Sequence, residues 1–129
     1  MIKPKSRIPL EFDEQSLLVK WMRAKRITFA STPNENHMSK LNTKTAAIQG
    51  ARAKQTGMQS GFPDITIFLD DKILFIEMKR ASKSLSKVSE KQQEWIDRLD
   101  KFSYASAKVC YGAKEAVNFI ESHLKERKC

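Results

Sequence analysis

Residues 61–80 read GFPDITIFLDDKILFIEMKR. Two runs rich in Ile, Leu and Phe, 64–69 and 72–78, flank Asp70-Asp71, a pattern that predicts two antiparallel strands joined by a short turn. Three charged residues interrupt it: Asp64, Glu77 and Lys79. A turn of two or four residues centred on Asp70-Asp71 sets Leu69 opposite Lys72, Thr66 opposite Phe75 and Asp64 opposite Glu77. A three-residue loop would shift the register by one and separate the acids. Directly opposed side chains have Cβ atoms about 5 Å apart, and residues two apart on a strand share a face. Asp64, Glu77 and Lys79 therefore converge at the end of the hairpin away from its turn.

Opposed carboxylates repel, so a bare pair destabilises a hairpin. Lys79 supplies one compensating charge, and a divalent cation would supply two. Mg²⁺ suits such a pair, being a hard ion that binds carboxylates and leaves its remaining positions to water and phosphate. An ion held there can activate water and neutralise charge on a scissile phosphate, with Lys79 orienting the water or stabilising the transition state. The competing reading is an ion-paired strand end with no chemistry.

Outward from the hairpin, a helix is expected from Pro9 or Leu10 to about Arg26, with Leu10, Leu17, Leu18, Trp21 and Met22 as its apolar stripe. A short strand at 27–30, a polar loop STPNENH at 31–37 and a weak helix over 39–54 follow. Gly57, Gly61 and Pro63 end that helix. After the hairpin, RASKSLSKV (80–88) reads as a mobile, basic, serine-rich connection. Ser89 with Gln92 has the Ser-x-x-Gln form of a capping box. It opens a helix whose apolar face is Trp95, Ile96, Leu99 and Phe102. A third strand at 107–111 and a closing helix at 114–124, with Ala116, Val117, Ile120 and Leu124 inward, complete a mixed α/β sandwich around a small sheet.

The 129 residues suit one domain, 1–129, with its core at about 10–124. The apolar runs are too short to span a membrane, and the basic N-terminus lacks the apolar centre of a secretion signal. Of the two cysteines, Cys110 lies in an apolar run and is expected as a buried free thiol, with Cys129 exposed. They form neither a disulfide framework nor a zinc site, and an intracellular location is expected. The net charge is +9 with a pI near 9.7. Residues 1–60 carry eleven Lys/Arg against four Asp/Glu, or +7, whereas residues 61–100 carry seven against eight, or −1. This asymmetry points to a polyanionic partner, nucleic acid first.

GFPD (61–64), twelve residues, then EMK (77–79) resembles the PD-(D/E)xK nuclease signature. Gly61-Phe62-Pro63-Asp64 looks like the G-x-P-D motif of the VRR-NUC branch, and FIEMKR (75–80) resembles its apolar strand leading to E-x-K. SEKQQEWIDRL (89–99) resembles the following S-x-x-Q helix. GAKEAVNFI (112–120) is similar to the closing helix, LEFDEQSLLVKW (10–21) to the opening E-x-x-x-Q helix, and PNE (33–35) to the motif after that. The resemblance implies a stand-alone domain with a restriction-endonuclease-like α/β core, a small mixed sheet around a central β-hairpin flanked by helices. It implies a metal-dependent DNA endonuclease in which Asp64, Glu77 and the main-chain carbonyl of Met78 hold Mg²⁺ or Mn²⁺ and Lys79 serves the attacking water. Glu11 would be the acidic residue of the first helix and a further metal ligand, and Gln92 the glutamine of the later helix. Its stand-alone members resemble junction resolvases, which implies a homodimer acting on branched DNA.

Helix geometry bears on the last two residues independently. At about 100° per residue, Glu11 lies about 20° from Leu18, and Gln92 lies the same angle from Leu99. Both polar groups thus sit in inward-facing stripes. Glu14 lies about 40° from Leu18 and competes with Glu11, while either acid can simply favour a helix N-terminus. Gln92 can equally be a cap for Ser89. The candidate phosphate contacts are Lys40, Lys44, Arg52 and Lys54 before the hairpin and Arg80, Lys83 and Lys87 after it. Glu35 and His37, in NENH, read as turn residues, and His123 as solvated. No base-reading motif is present, so structure selectivity is expected over sequence specificity. A DNA-binding module without catalysis is the alternative, but it leaves the convergence of Asp64, Glu77 and Lys79 unexplained. For the dimer interface, the closing helix and the surroundings of Trp21 are the expected surfaces.

Overall fold

The structure, a computed structural model, describes residues 8–32 and 43–126. Glu35, His37, Lys40 and Cys129 lie outside these residues, as do most of the polar loop and the expected start of the weak helix. The described strands are β1 (Thr28–Ser31), β2 (Ile65–Phe68), β3 (Ile73–Lys79) and β4 (Ala105–Tyr111), and the helices are α1 (Glu11–Ala24), α2 (Thr43–Gln55), α3 (Glu90–Leu99) and α4 (Ala113–Glu126). The strands form one sheet in the order β1-β2-β3-β4. The first two pairings are antiparallel and β3-β4 is parallel, so α3 is the crossover that a parallel pair requires.

The hairpin has the expected register. Thr66 pairs with Phe75, and the Leu69 N–H donates to the Lys72 carbonyl at 2.8 Å. Alternation divides the sheet. Leu74, Ile76 and Met78 of β3 join Ile65 and Ile67 of β2 on one face, all fully buried beneath Leu18 and Met22 of α1 and Ala116 and Ile120 of α4. Burying each large side chain is worth about 1.5–3 kcal/mol, so this layer fixes which way β3 faces. The other face carries Thr66, Phe75, Glu77 and Lys79 and meets α3.

Several expectations change. Leu10 and Leu17 are about half exposed, outside the buried stripe of α1. That helix meets the sheet along Leu18 and Met22, and a single contact line does not cover residues about 100° away. α1 stops at Ala24, because Arg26 takes a left-handed φ of 59° and the Ile27 N–H turns back to the Met22 carbonyl. Phe102 lies beyond the end of α3, exposed and stacked on Tyr104 at 5.4 Å. β4 begins at Ala105, two residues earlier than its apolar run suggests, because pairing with Ile73 continues the ladder. The 80–88 connection is tied down. It contains a short 3₁₀ turn, Lys83–Leu85, and the Ser86 hydroxyl accepts from the Arg80 N–H at 2.9 Å. His123 is half-buried and edge-on to Phe119 rather than solvated. Cys110 is buried and free, with its thiol pushed up to about 12 by burial. No helix among the described residues is long and apolar enough to cross a membrane.

Candidate active site

Asp64 immediately precedes β2 and Glu77 lies in β3, so the register sets their side chains against each other. Both are buried, at 8% and 3% exposure, as is Lys79 at 6%. Lys79 Nζ lies 3.8 Å from Glu77 Oε2. The Asp64 carboxylate accepts from the Met78 N–H at 2.8 Å, and the Asp64 carbonyl accepts from the Thr32 N–H at 2.7 Å. Asp64 is thus held from β3 on one side and from the end of β1 on the other.

Burial dominates the electrostatics. It pushes the Glu77 carboxyl up to about 9, with the Asp64 charge adding to the effect and Lys79 opposing it. Asp64 is raised too, again by burial first, against the stabilising Met78 N–H, a hydrogen bond with Glu77 and the Lys79 charge. Without a further cation, burial favours a proton held by the pair.

Gln92 does two things with one amide. Its backbone N–H donates to the Ser89 hydroxyl at 3.1 Å and its side-chain oxygen accepts from the Ser89 N–H at 3.0 Å, a complete capping box. Its amide nitrogen donates to Glu77 Oε2 at 3.0 Å. The cap and site readings both hold, because capping fixes the amide oxygen and turns the nitrogen toward the acid. Gly61 sets the distance. It adopts φ of 86°, and a Cβ there would lie 2.8 Å from Lys91 Cβ and 2.9 Å from the Lys91 carbonyl carbon. Only glycine lets the GFPD segment approach the first turn of α3 so closely.

The two acids of α1 separate cleanly. Glu14 is buried, and its Oε1 accepts from the Ala113 N–H at 2.8 Å, supplying an acceptor at the start of α4. Glu11 is half-buried and faces the acid pair electrostatically. Its carboxyl is raised by burial and then by the Asp64 charge, with Lys79 opposing, and its own charge in turn raises Glu77. Among the described residues, no three His, Cys, Asp or Glu side chains form a group that could hold a metal ion. Asp64 and Glu77 stand together as a buried carboxylate pair, with Glu11 at its border. Met78 is completely buried, and the contact its backbone makes to the site is the N–H bond to Asp64.

Of the expected phosphate contacts, Lys44, Arg52, Lys54, Lys83 and Lys87 are exposed. Lys83 Nζ sits 5.0 Å from the centre of the Tyr111 ring. Arg80 differs, because its guanidinium donates to the carbonyls of Ile8 at 2.8 Å and Pro9 at 3.1 Å and so anchors the chain before α1. A cleft of about 440 Å³ opens beside the acids, lined also by Met58, Gln59, Phe62 and Trp95. Sequence reading missed this wall. Gly57, at φ of 103°, ends α2 with the Met58 N–H on the Ala53 carbonyl and the Gly57 N–H on the Lys54 carbonyl, which delivers Met58 to the cleft. A glycine after a helical run was the available signal.

The sequence profile of the VRR-NUC domain matches residues 11–114. A solved structure described as a "VRR_NUC domain protein" superposes with a TM-score of 0.70 at 20% identity, covering 92% of this chain and 91% of that one. No curated protein matches the chain. With four-fifths of its length under the profile and the same fold in that relative, the chain belongs to the VRR-NUC family of nuclease-type domains.

Proposed function

We propose that the protein is a divalent-metal-dependent DNA endonuclease that hydrolyses phosphodiester bonds, prefers branched DNA such as four-way junctions, and works as a homodimer. The observation that carries this reading is a buried Asp64–Glu77 pair with one nearby ammonium, at the base of a cleft. Two buried carboxylates that retain a proton lack one unit of positive charge. Their donors are all oxygen, which fits Mg²⁺ or Mn²⁺. Asp64 and Glu77 would hold the ion, with the Met78 carbonyl and Glu11 as further candidate oxygen donors. When bound, the ion supplies Lewis acidity against the scissile phosphate and acidifies water at the site.

The protein groups divide the remaining work. The Met78 N–H fixes Asp64, and the capped Gln92 amide fixes Glu77, so neither acid reorganises when substrate arrives. The buried Lys79 ammonium, 3.8 Å from Glu77, would orient the attacking water or meet charge developing on the phosphate. Exposed Lys44, Arg52 and Lys54 on α2 and Lys83 and Lys87 after β3 would neutralise flanking phosphates without reading bases. One acid pair per chain cuts one strand at a time, and a two-fold dimer would present two sites to a near-symmetric junction.

The test is incubation with labelled four-way junction, flap and linear duplex DNA in Mn²⁺, Mg²⁺ or EDTA. Paired nicks on the junction, with divalent metal only, are expected. Cleavage in EDTA would overturn the metal assignment, and equal cutting of all three substrates would remove the junction preference. Binding without cleavage in either metal would indicate a non-catalytic DNA-binding module.

A further inference from the structure

Apart from the acids, the cleft of about 440 Å³ is largely apolar. Met58, Phe62 and Trp95 line it, and no Lys or Arg does so among the described residues. The aromatic wall is interlocked. Phe62 meets Trp95 edge-on at 5.1 Å and Phe75 at 5.9 Å, and the Arg98 guanidinium lies 5.6 Å from the Trp95 ring. A phosphate backbone is drawn to cations, and among the described residues no cationic side chain lines this cleft. A nucleobase has complementary needs. Its faces suit aromatic and thioether groups, and its edge suits an amide or a hydroxyl, here Gln59 and Thr32.

We propose that the cleft takes one unpaired nucleobase next to the phosphate lying at Asp64 and Glu77, so that the preferred substrate is DNA unpaired at the nucleotide being cut. This rests on the nuclease reading above. A base paired within a duplex reaches the cleft only by unstacking and unpairing, and an already unpaired base avoids most of that cost. A branch or distortion that leaves the base at the cut unstacked or unpaired is then selected by a single cleft, without any base-specific contact.

The test uses three duplexes of one sequence: fully paired, carrying one bulged nucleotide, and carrying an abasic residue at the bulge. In Mn²⁺, cleavage beside the bulged base is expected to exceed that of both others by at least about fivefold, the lower end of what base–aromatic contact contributes. Equal rates on the bulged and abasic substrates of the unmodified protein would overturn the proposal. Trp95→Ala, and Met58→Trp, which fills the cleft from another wall, should each bring the bulged-to-abasic ratio toward one. A ratio unchanged in both would also overturn it. A second measurement separates this idea from the nuclease reading. With 2-aminopurine at the bulge, emission should change on binding to the Asp64→Asn protein and not when Trp95→Ala is added. If no DNA is cut, that signal still decides whether the cleft holds a base.

Discussion

Glu77 is buried against Asp64 with one ammonium beside it, and burial raises its carboxyl from 4.5 to about 9. In metal-free buffer the folded protein keeps this proton where the unfolded chain releases it. The stability from protonated Glu77 is thus complete below about 4.5 and is lost as pH rises to about 9. Glu77→Gln does not titrate, so its melting temperature relative to the unmodified protein should climb across that window in EDTA. A difference independent of pH would contradict this. The same proton must leave when an ion binds, so Mn²⁺ titration followed by calorimetry in two buffers of different ionisation heat should show proton release. Asp64→Asn, Glu77→Gln and Lys79→Ala should each abolish cleavage while retaining DNA binding. On α1, Glu14→Ala should cost about 1–2 kcal/mol of stability through the lost acceptor at α4. Glu11→Gln should barely move the melting temperature and should weaken Mn²⁺ binding; the reverse pattern in denaturation and titration would exchange the roles.

At the scale of elements, the site depends on how closely the GFPD segment and α3 approach. Gly61→Ala places a Cβ against Lys91 backbone and imposes a left-handed φ on a residue that resists it. The expected loss is about 2–4 kcal/mol, measured by urea denaturation. Cleavage should fall further than stability does, because α3 must shift and carry the Gln92 amide away from Glu77. A variant as active as the unmodified protein would show that the Gln92–Glu77 bond is dispensable. Much of this was legible beforehand. The alternation in β2 and β3 announced the hairpin register, and Ser89-x-x-Gln92 announced the start of α3. The contact of Gly61 with Lys91 was not legible, because it joins segments thirty residues apart whose meeting depends on the crossover.

Across the whole molecule, charge and acid pair are segregated, with +7 in residues 1–60 and −1 in residues 61–100. DNA affinity should fall steeply with salt, and Arg52→Ala with Lys54→Ala should lower the slope of log K against log salt by about 1.8. An unchanged slope would shift the phosphate contacts to Lys83 and Lys87. Of the surfaces expected from sequence for assembly, Ala116 and Ile120 set one face of α4 in the core and Trp21 packs against it, while Lys114 and Asn118 of α4 are exposed. The larger exposed apolar residues on and just before α1 are Phe12 at 77%, Leu17 at 54% and Leu10 at 50%. A dimer should therefore be visible by sedimentation at micromolar concentration and be weakened by Phe12→Glu; a monomer at that concentration would remove the two-site picture.

The sequence alone determined the hairpin and, for a turn of two or four residues, the convergence of Asp64, Glu77 and Lys79, because strand periodicity is a local constraint that holds wherever the hairpin is placed; the structure fixed the turn. The sequence also offered an inward-facing position and a cap for Ser89 as alternatives for Gln92, and the structure shows both. The tertiary structure decided what local pattern leaves open. It assigned Glu14 to the N-terminus of α4 and Glu11 to the border of the site, although both lie within one turn of the same stripe, because the partner of Glu14 is 99 residues away. It showed that Arg80 also anchors the chain before α1, through the carbonyls of Ile8 and Pro9. And it assembled an apolar cleft from Met58, Phe62 and Trp95, which share no sequence motif and meet only once the helices have packed on the sheet.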